Sequence, residues 1–594
     1  MSRHRKKFDP PINAYFNALL RETGPWPWHS QHRHFSITHP QSGETLLIPC
    51  RFRSLGGRHL LGPDLLLNSK NGPKPVSFMT AVEWTLTLPA LLNESTSQAR
   101  ENFCDRVQRS EENLGLALGY RAQHLLVSDS GLQSFIESEQ ALVNGHSIHP
   151  CPKDRGNMDR EEAAVFSPEY AGRFSLIWYS VDSACVRCNE STGASMAHAI
   201  QSLLERESPF VRRAIHAAKQ PGHMIIPCHP FQHRHWQAHP ALRTMQAEGR
   251  LRSLAMGTSP WRATSSLRAI WSDEQDWMLK FSLSVRITNS LRHLQPQEAL
   301  RGPALADLLD TEPAQRWLAR HPQFQILNEP LALALCDNSD NPLPETTLVF
   351  RDNPFQGDNA ENCELLASLL QDNPSTGLSR LGHCLQAMNT DEAGAIAWFR
   401  AYLDLAVKPL LDAQSNLGLL FGAHQQNLIL RLDDRFQPVA AWFRDCQGTG
   451  FSALAHQQFG PGLAASAQAS GNDLPDALGT RLFSYYLFIN STFNVISSLA
   501  AASLCTETHL LGQLREWLQQ RSAEAPADPS AIHYLLNSPQ LYAKNNFLCS
   551  LRALNENTLD DLESIYHPIP NPLVLSHPLK TENNDAYDTY VLTH

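Results

Sequence analysis

The sequence predicts an α+β protein built from several domains. Three observations carry that reading. The chain has 594 residues, short strand-like runs alternate with long helical ones, and no repeat of solenoid length is present. At a prior of ~150 residues per domain, such a chain holds roughly three or four units.

"PINAYFNALLRET" reads as an opening helix, "ETLLIPCRFRSL" as strand, and "LPALLNESTSQARENFCDRVQRSEENL" as helical segments. "NGHSIHPCPKDRGNM" then interrupts the pattern with Pro, Gly and His. A middle region of strands and helices runs to about residue 410. It contains a loop-rich stretch, "CDNSDNPLPETTLVFRDNPFQGDNAEN". The last third begins with a helix from Asp391 to Ala413, whose Phe399, Leu403, Ala406 and Leu410 keep helical spacing. "NLILRL" and "PVAAWF", joined by "DDRFQ", read as a β-hairpin. "RLFSYYLFINSTFNVISSLAAASL" is apolar nearly all round, which predicts a buried helix.

Hydrophobic residues make up 42% and charged residues 18%, ordinary values for a globular protein. The net charge of −10 excludes a general nucleic-acid or acidic-membrane binder. An anionic ligand therefore has to be met by a local basic pocket. The basic opening "MSRHRKKFDPP" has no apolar stretch after it, so it does not read as a secretory signal. No run of ~18 apolar residues predicts a membrane span. The 12 cysteines have no framework spacing. Cys185 and Cys188 form a lone CxxC, for which free thiols in a reducing cytoplasm are preferred to structural zinc.

From Leu279 to Ile287 apolar and polar residues alternate, with Lys280, Ser282, Ser284 and Arg286 on the polar side. Upstream, "TSSLRAIW" places Ser266 and Arg268 on one side. An antiparallel hairpin centred on Glu274 would set Arg268 opposite Lys280 and Ser266 opposite Ser282. Like charges directly opposite repel, unless an anion lies between them. A polyphosphate or polycarboxylate site and a merely solvated face both remain open. "TNSLRHL" reads as a turn capped by Thr288 or Asn289 into a helix, with Arg292 in its first turn.

His146, His149 and Lys153 lie in "GHSIHPCPK", and His223, His229, His233 and His235 in "GHMIIPCHPFQHRHW". Proline interrupts both stretches, which favours anion donors or partners of buried backbone over zinc ligands. In "FGAHQQNLILRLDDRFQPVAAWFRDCQG", His424 and Asn427 precede one strand and Asp445 ends the next. A strand-end carboxylate beside an amide is how small-molecule kinases hold Mg²⁺ on a nucleotide. Gln426 stands where a kinase would need its catalytic Asp, so phosphoryl transfer lacks a base. Read singly, His424 is also compatible with a core histidine, and Asp445 with Arg444 with a structural ion pair.

Taken together, "GHSIHPCPK", "HPFQ", "ATSSLR", "KFSLSVRITNSLR", "AHQQN", "RDCQG" and "YAKNNF" resemble the IucA/IucC family of siderophore synthetases that work without a nonribosomal assembly line. "LLRETGPW" and "NPLVLSH" are similar to members that act first on citrate. The resemblance implies a hand-like fold, with a thumb at 1–160, fingers at 161–410 carrying the phosphate-binding hairpin, and a palm at 411–594. It implies ATP-dependent adenylation of a citrate carboxylate, then attack by an amine, hydroxyl or N-hydroxylated lysine, with AMP and pyrophosphate released. His149, Lys153, Ser266, Arg268, Lys280 and Asn427 would serve ATP. Arg292, His424, Lys544, Arg481 and Tyr485 would serve citrate, and Asp445 would hold Mg²⁺. The chemistry would rest on Arg268, Lys280, His424 and Asp445. A cytoplasmic homodimer or higher oligomer is implied, with small-molecule partners only. Two positions depart from many members: Gly422 where they carry Glu, and Ala269 where some carry Thr. A small-molecule kinase and a non-catalytic nucleotide or citrate sensor are the competing readings.

Overall fold

The computed structural model describes residues 8–124, 131–554 and 563–575. The basic segment before Phe8 and the end of "NPLVLSH" lie outside them. The architecture is α+β, as the sequence predicts.

The opening helix, Pro10–Thr23, starts on prolines, whose missing N–H groups cost nothing in a first turn. Its buried Ile12, Tyr15, Phe16 and Leu19 pack with Ile37, Leu46 and Ile48 of a six-stranded antiparallel sheet. In the strand Thr45–Phe52, Leu46, Ile48 and Cys50 alternate inward, as period two requires. Phe547 and Leu551, from the other end of the chain, complete this core. The Phe547 ring lies 5.2 Å from Tyr15 and 5.3 Å from Phe103.

In the middle of the chain two antiparallel sheets share one core. One has three strands, with Ile177–Asp182 between Leu251–Met256 and His223–Cys228. The other has six, in the order Arg262–Ala263, Ala269–Trp271, Trp277–Phe281, Leu348–Asp352, Leu331–Leu335 and Val186–Glu190. The stretch read as loop-rich thus supplies a central strand, Leu348–Asp352.

The basic hairpin forms, with a different register. Ala269, not Arg268, pairs with Lys280. Arg268 instead ends a tight turn in which Thr264 N–H donates to the Ala269 carbonyl and Leu267 takes φ 67°. That turn uses up one residue of the ladder, and it also removes Ser266 from Ser282. Ser282 interrupts the strand, donating its N–H to Thr347 and accepting from Leu294 N–H at its hydroxyl. "TNSLRHL" does not start a helix. Leu283–Ile287 and Ser290–Arg292 form a second hairpin, turned at Thr288 with φ 55°. Strand pairing satisfies this backbone, and the next helix waits for Pro296.

The helix expected from Asp391 runs Glu392–Tyr402, through a π-helical turn Leu403–Val407, to Leu417, with Asp391 capping it. The predicted hairpin is Leu428–Leu432 with Pro438–Phe443. Its second strand also pairs, in parallel, with Phe324–Ile326. The apolar helix is buried as predicted and carries a π-helical stretch, Tyr485–Thr492, between Asp476–Ser484 and Phe493–Ala501. No helix among the described residues is long and apolar enough to cross a membrane.

Candidate active site

A cavity of about 330 Å³ lies where these pieces meet. Eight cationic side chains line it, against the two carboxylates Asp154 and Asp445. A chain of net charge −10 has thus gathered positive charge at one place. Charge lining a concave, partly desolvated wall acts more strongly than the same charge on an open surface.

Lys280 is the centre of the arrangement. It is 3% exposed, and its ammonium donates to Asp445 and to the Gln447 amide oxygen. Glu329 lies 3.6 Å away and also accepts from Arg351 Nε at 2.8 Å. Glu329 and Asp445 follow the ends of two parallel strands, Phe324–Ile326 and Pro438–Phe443. Arg351 comes from the neighbouring strand, where it pairs with Met278, so it shares a face with Lys280. Burial pushes the Asp445 carboxyl up, but Lys280, Arg351 and Arg268 outweigh it and hold the group well below the carboxylate range. Asp445 is therefore ionised. Its backbone is left-handed, φ 88° and ψ 66°, where a short polar side chain is tolerated.

His424 sits beside it. Burial, with Arg444, Lys544 and Arg292, lowers its pKa to about 4 against the pull of Asp445. Its Nδ1 accepts from Gln426 N–H at 3.3 Å, which places the proton of the neutral ring on Nε2. Asn427 donates to the Gly422 carbonyl at 3.0 Å and reaches Asp445 at 3.5 Å. Arg444 does not pair with Asp445. It binds the buried Glu139 at 2.6 Å and the Gln426 carbonyl at 2.8 Å, tying the His424 loop in place. Gln426 itself donates to Ser265.

The other predicted residues divide. Arg268 lines the cavity, makes no ion pair among the described residues and acts on Asp445 through its charge. Ser266 accepts from Ala269 N–H at 3.1 Å and fixes the turn. Arg292 lines the wall and donates to Thr288 at 2.9 Å. Lys544, at the end of the strand Gln540–Lys544, and Tyr485, its pKa pushed up to about 12 by burial, line it too. Lys153 is held by Glu169 at 3.6 Å, and burial lowers its pKa to about 8. Both ring nitrogens of His149 are engaged, by Cys151 N–H and by Asn289, so this histidine braces the loop. Arg481 is not among the lining residues. It stacks over Tyr542 and pairs with Glu563 at 3.3 Å. His223, His229, His233 and His235 also lie off the cavity, and His229 accepts from Phe231 N–H at a helix start rather than binding an anion.

Sequence reasoning missed Arg351, Glu329, Gln447 and Glu139. Only Arg351 left a signal, as a lone cation in the apolar run "LVFRD".

The chain is 32% identical over 95% of its length, and 95% of the relative's, to N(2)-citryl-N(6)-acetyl-N(6)-hydroxylysine synthase of Vibrio mimicus. The IucA / IucC family description matches residues 134–371. The chain belongs to the IucA/IucC family. A second description, ferric iron reductase FhuF-like transporter, matches residues 396–561. Spermidine-citrate ligase of Bacillus anthracis is 27% identical, over 95% of this chain and 97% of that protein. The ATP-bound aerobactin synthetase IucA of Klebsiella pneumoniae superposes with a TM-score of 0.87 at 28% identity, covering 95% of this chain and 99% of that one.

For an IucA/IucC chain, Gly422 has a local reason. A Cβ there would meet the Gly448 carbonyl oxygen at 3.0 Å. The His424 loop and the Asp445 turn thus approach closely, and a side chain at 422 would require one of them to give by a few tenths of an ångström. Ala269 faces Lys280 across the ladder with its side chain buried.

Proposed function

We propose that this chain is an ATP-dependent siderophore synthetase that activates one carboxylate of citrate and condenses it with an amine-bearing acceptor. The observation that carries the reading is the cavity itself: cations from three parts of the fold surround one ionised carboxylate. Citrate and a triphosphate repel each other, and preorganised positive charge offsets that repulsion without reorganisation during the reaction.

In the first step a citrate carboxylate oxygen bonds to the α-phosphorus of ATP, and pyrophosphate leaves with the bonding pair. In the second, the acceptor nitrogen bonds to the acyl carbon, AMP leaves, and the nitrogen gives up a proton. Ser266, Arg268 and Lys280 would face the phosphates, joined by Arg351. Arg292, Lys544, Tyr485 and His424 would hold citrate. With its proton on Nε2, neutral His424 donates to a carboxylate oxygen and does not act as the base for the nitrogen. Asp445 positions Lys280. Its carboxylate, ionised and at a strand end, is an oxygen donor of the kind that fits Mg²⁺ carried on a nucleotide. Asp445 would hold that ion, which would supply further positive charge between the two anions.

The division into a thumb at 1–160, fingers at 161–410 and a palm at 411–594 is part of the proposal, as are a homo-oligomeric state and a cytoplasmic location. A kinase reading is not favoured, because Gln426 is committed to Ser265 where a catalytic Asp would stand. The test is a hydroxylamine-trapping screen of carboxylic acids with Mg-ATP. Citrate should give citryl hydroxamate with one AMP per product. Formation of ADP without AMP would overturn the assignment.

A further inference from the structure

A second, smaller cavity of about 30 Å³ adjoins the first. The two share Gly145, Ala367 and Gln425 in their walls. Gln425 follows His424 directly, so the annex opens beside the proposed citrate carboxylates.

Its inner wall carries Asp372, Arg58 and Asn144. Asp372 is 5% exposed. Its Oδ2 accepts from Arg58 at 2.6 Å, while its Oδ1 is buried without a partner. Asn144 donates to the Asp372 carbonyl at 2.8 Å, and its own Oδ1 is likewise buried and unpartnered. Buried acceptors left unpaired cost about 1–3 kcal/mol each, unless a donor arrives. The two residues that carry these atoms line one small space. The space has room for about one or two groups of water size. That admits an ammonium or a hydroxyl and excludes an aromatic ring.

We propose that this annex is the subsite for the acceptor's non-reacting end, and that it selects acceptors bearing a compact N–H or O–H donor at that end. Asp372 and Asn144 accept from that donor, while the reacting nitrogen stays in the main cavity. Arg58 holds Asp372 in place and offsets part of the burial that pushes its carboxyl up. It donates as well to the Leu370 carbonyl at 2.7 Å, which fixes the guanidinium. The assignment rests on the proposed citrate activation.

The test separates the two half-reactions in the full-length protein. Citrate-dependent ATP–pyrophosphate exchange needs no acceptor, and it should stay within about twofold in Asp372→Asn and in Asn144→Ala. The exchange also reports that each variant is folded. The kcat/KM for linear diamines and for amines ending in an N-hydroxyl group should fall about tenfold or more, as expected for a lost hydrogen bond to a charged group. That for a linear amine ending in a methyl group should not change. Loss with diamines alone assigns the subsite to an ammonium, and loss with N-hydroxyl amines alone to a hydroxyl. Equal changes for all amines, or no change with any, would overturn the annex assignment while leaving citrate activation intact. Absence of exchange in the unaltered protein would overturn citrate activation itself, and the annex with it.

Discussion

Lys280 shows how a residue's meaning changes once its partners are known. From the sequence alone it faces Arg268 across a hairpin, and its removal should relieve repulsion. The structure gives it Asp445 and Glu329 instead. Lys280→Met would take the ion-pair partner from Asp445 and leave Glu329 with Arg351 alone, and breaking a buried pair in this way typically costs about 3–5 kcal/mol. Chemical denaturation of the ligand-free protein should show that loss. Unchanged or increased stability would mean that repulsion from Arg268 dominates. His424 makes a second prediction. Its folded pKa of about 4 lies below the ordinary 6.5. The unfolded chain therefore takes up a proton first as pH falls. The stabilising contribution is whole above pH 6.5 and is lost between pH 6.5 and 4. At pH 5 the loss is on the order of 2 kcal/mol. His424→Gln should be less sensitive than the unaltered protein, by about that amount, between pH 7 and 5 in denaturant titrations. An identical pH slope in the two proteins would contradict the burial of a neutral ring.

At the scale of elements, the sequence was readable where pattern and length agreed. The helix from Asp391, the hairpin of "NLILRL" and "PVAAWF", and the buried apolar helix each follow from periodicity. The misreadings fall where a single backbone angle decides. Leu267 and Thr288 take positive φ, which their residue types rarely adopt. One shifts the ladder by a residue and the other turns an expected helix into a hairpin. Neither residue type signals such an angle, so no local pattern announced them. Gly422 tests how tightly two such loops approach. Gly422→Ala would push its Cβ against the Gly448 carbonyl at 3.0 Å, and this backbone group is tied to the Asp445 turn. The expected cost is about 1–2 kcal/mol. The melting temperature should fall, and turnover should fall further than that loss explains. A variant with unaltered turnover would show that the turn yields freely.

Across the whole molecule, the site draws on elements far apart in sequence. Lys280 and Arg351 come from one sheet, Asp445 and Glu329 from another, and Lys544 from a late strand, with Phe547 three residues on in the N-terminal core. Candidate residues were legible one at a time because each stands in a short motif. Their pairing was not, since Glu139, Glu329 and Asp372 sit in apolar or unremarkable stretches and gain meaning only in three dimensions. Activation as proposed requires that a citrate oxygen bond to the α-phosphorus of ATP. Citrate labelled with ¹⁸O in its carboxylates, incubated with Mg-ATP and an amine acceptor, tests it directly by mass spectrometry of the phosphate products. One ¹⁸O atom should appear in the phosphoryl group of AMP for each citryl amide formed, with unlabelled pyrophosphate. Label in inorganic phosphate, accompanied by ADP, would contradict it.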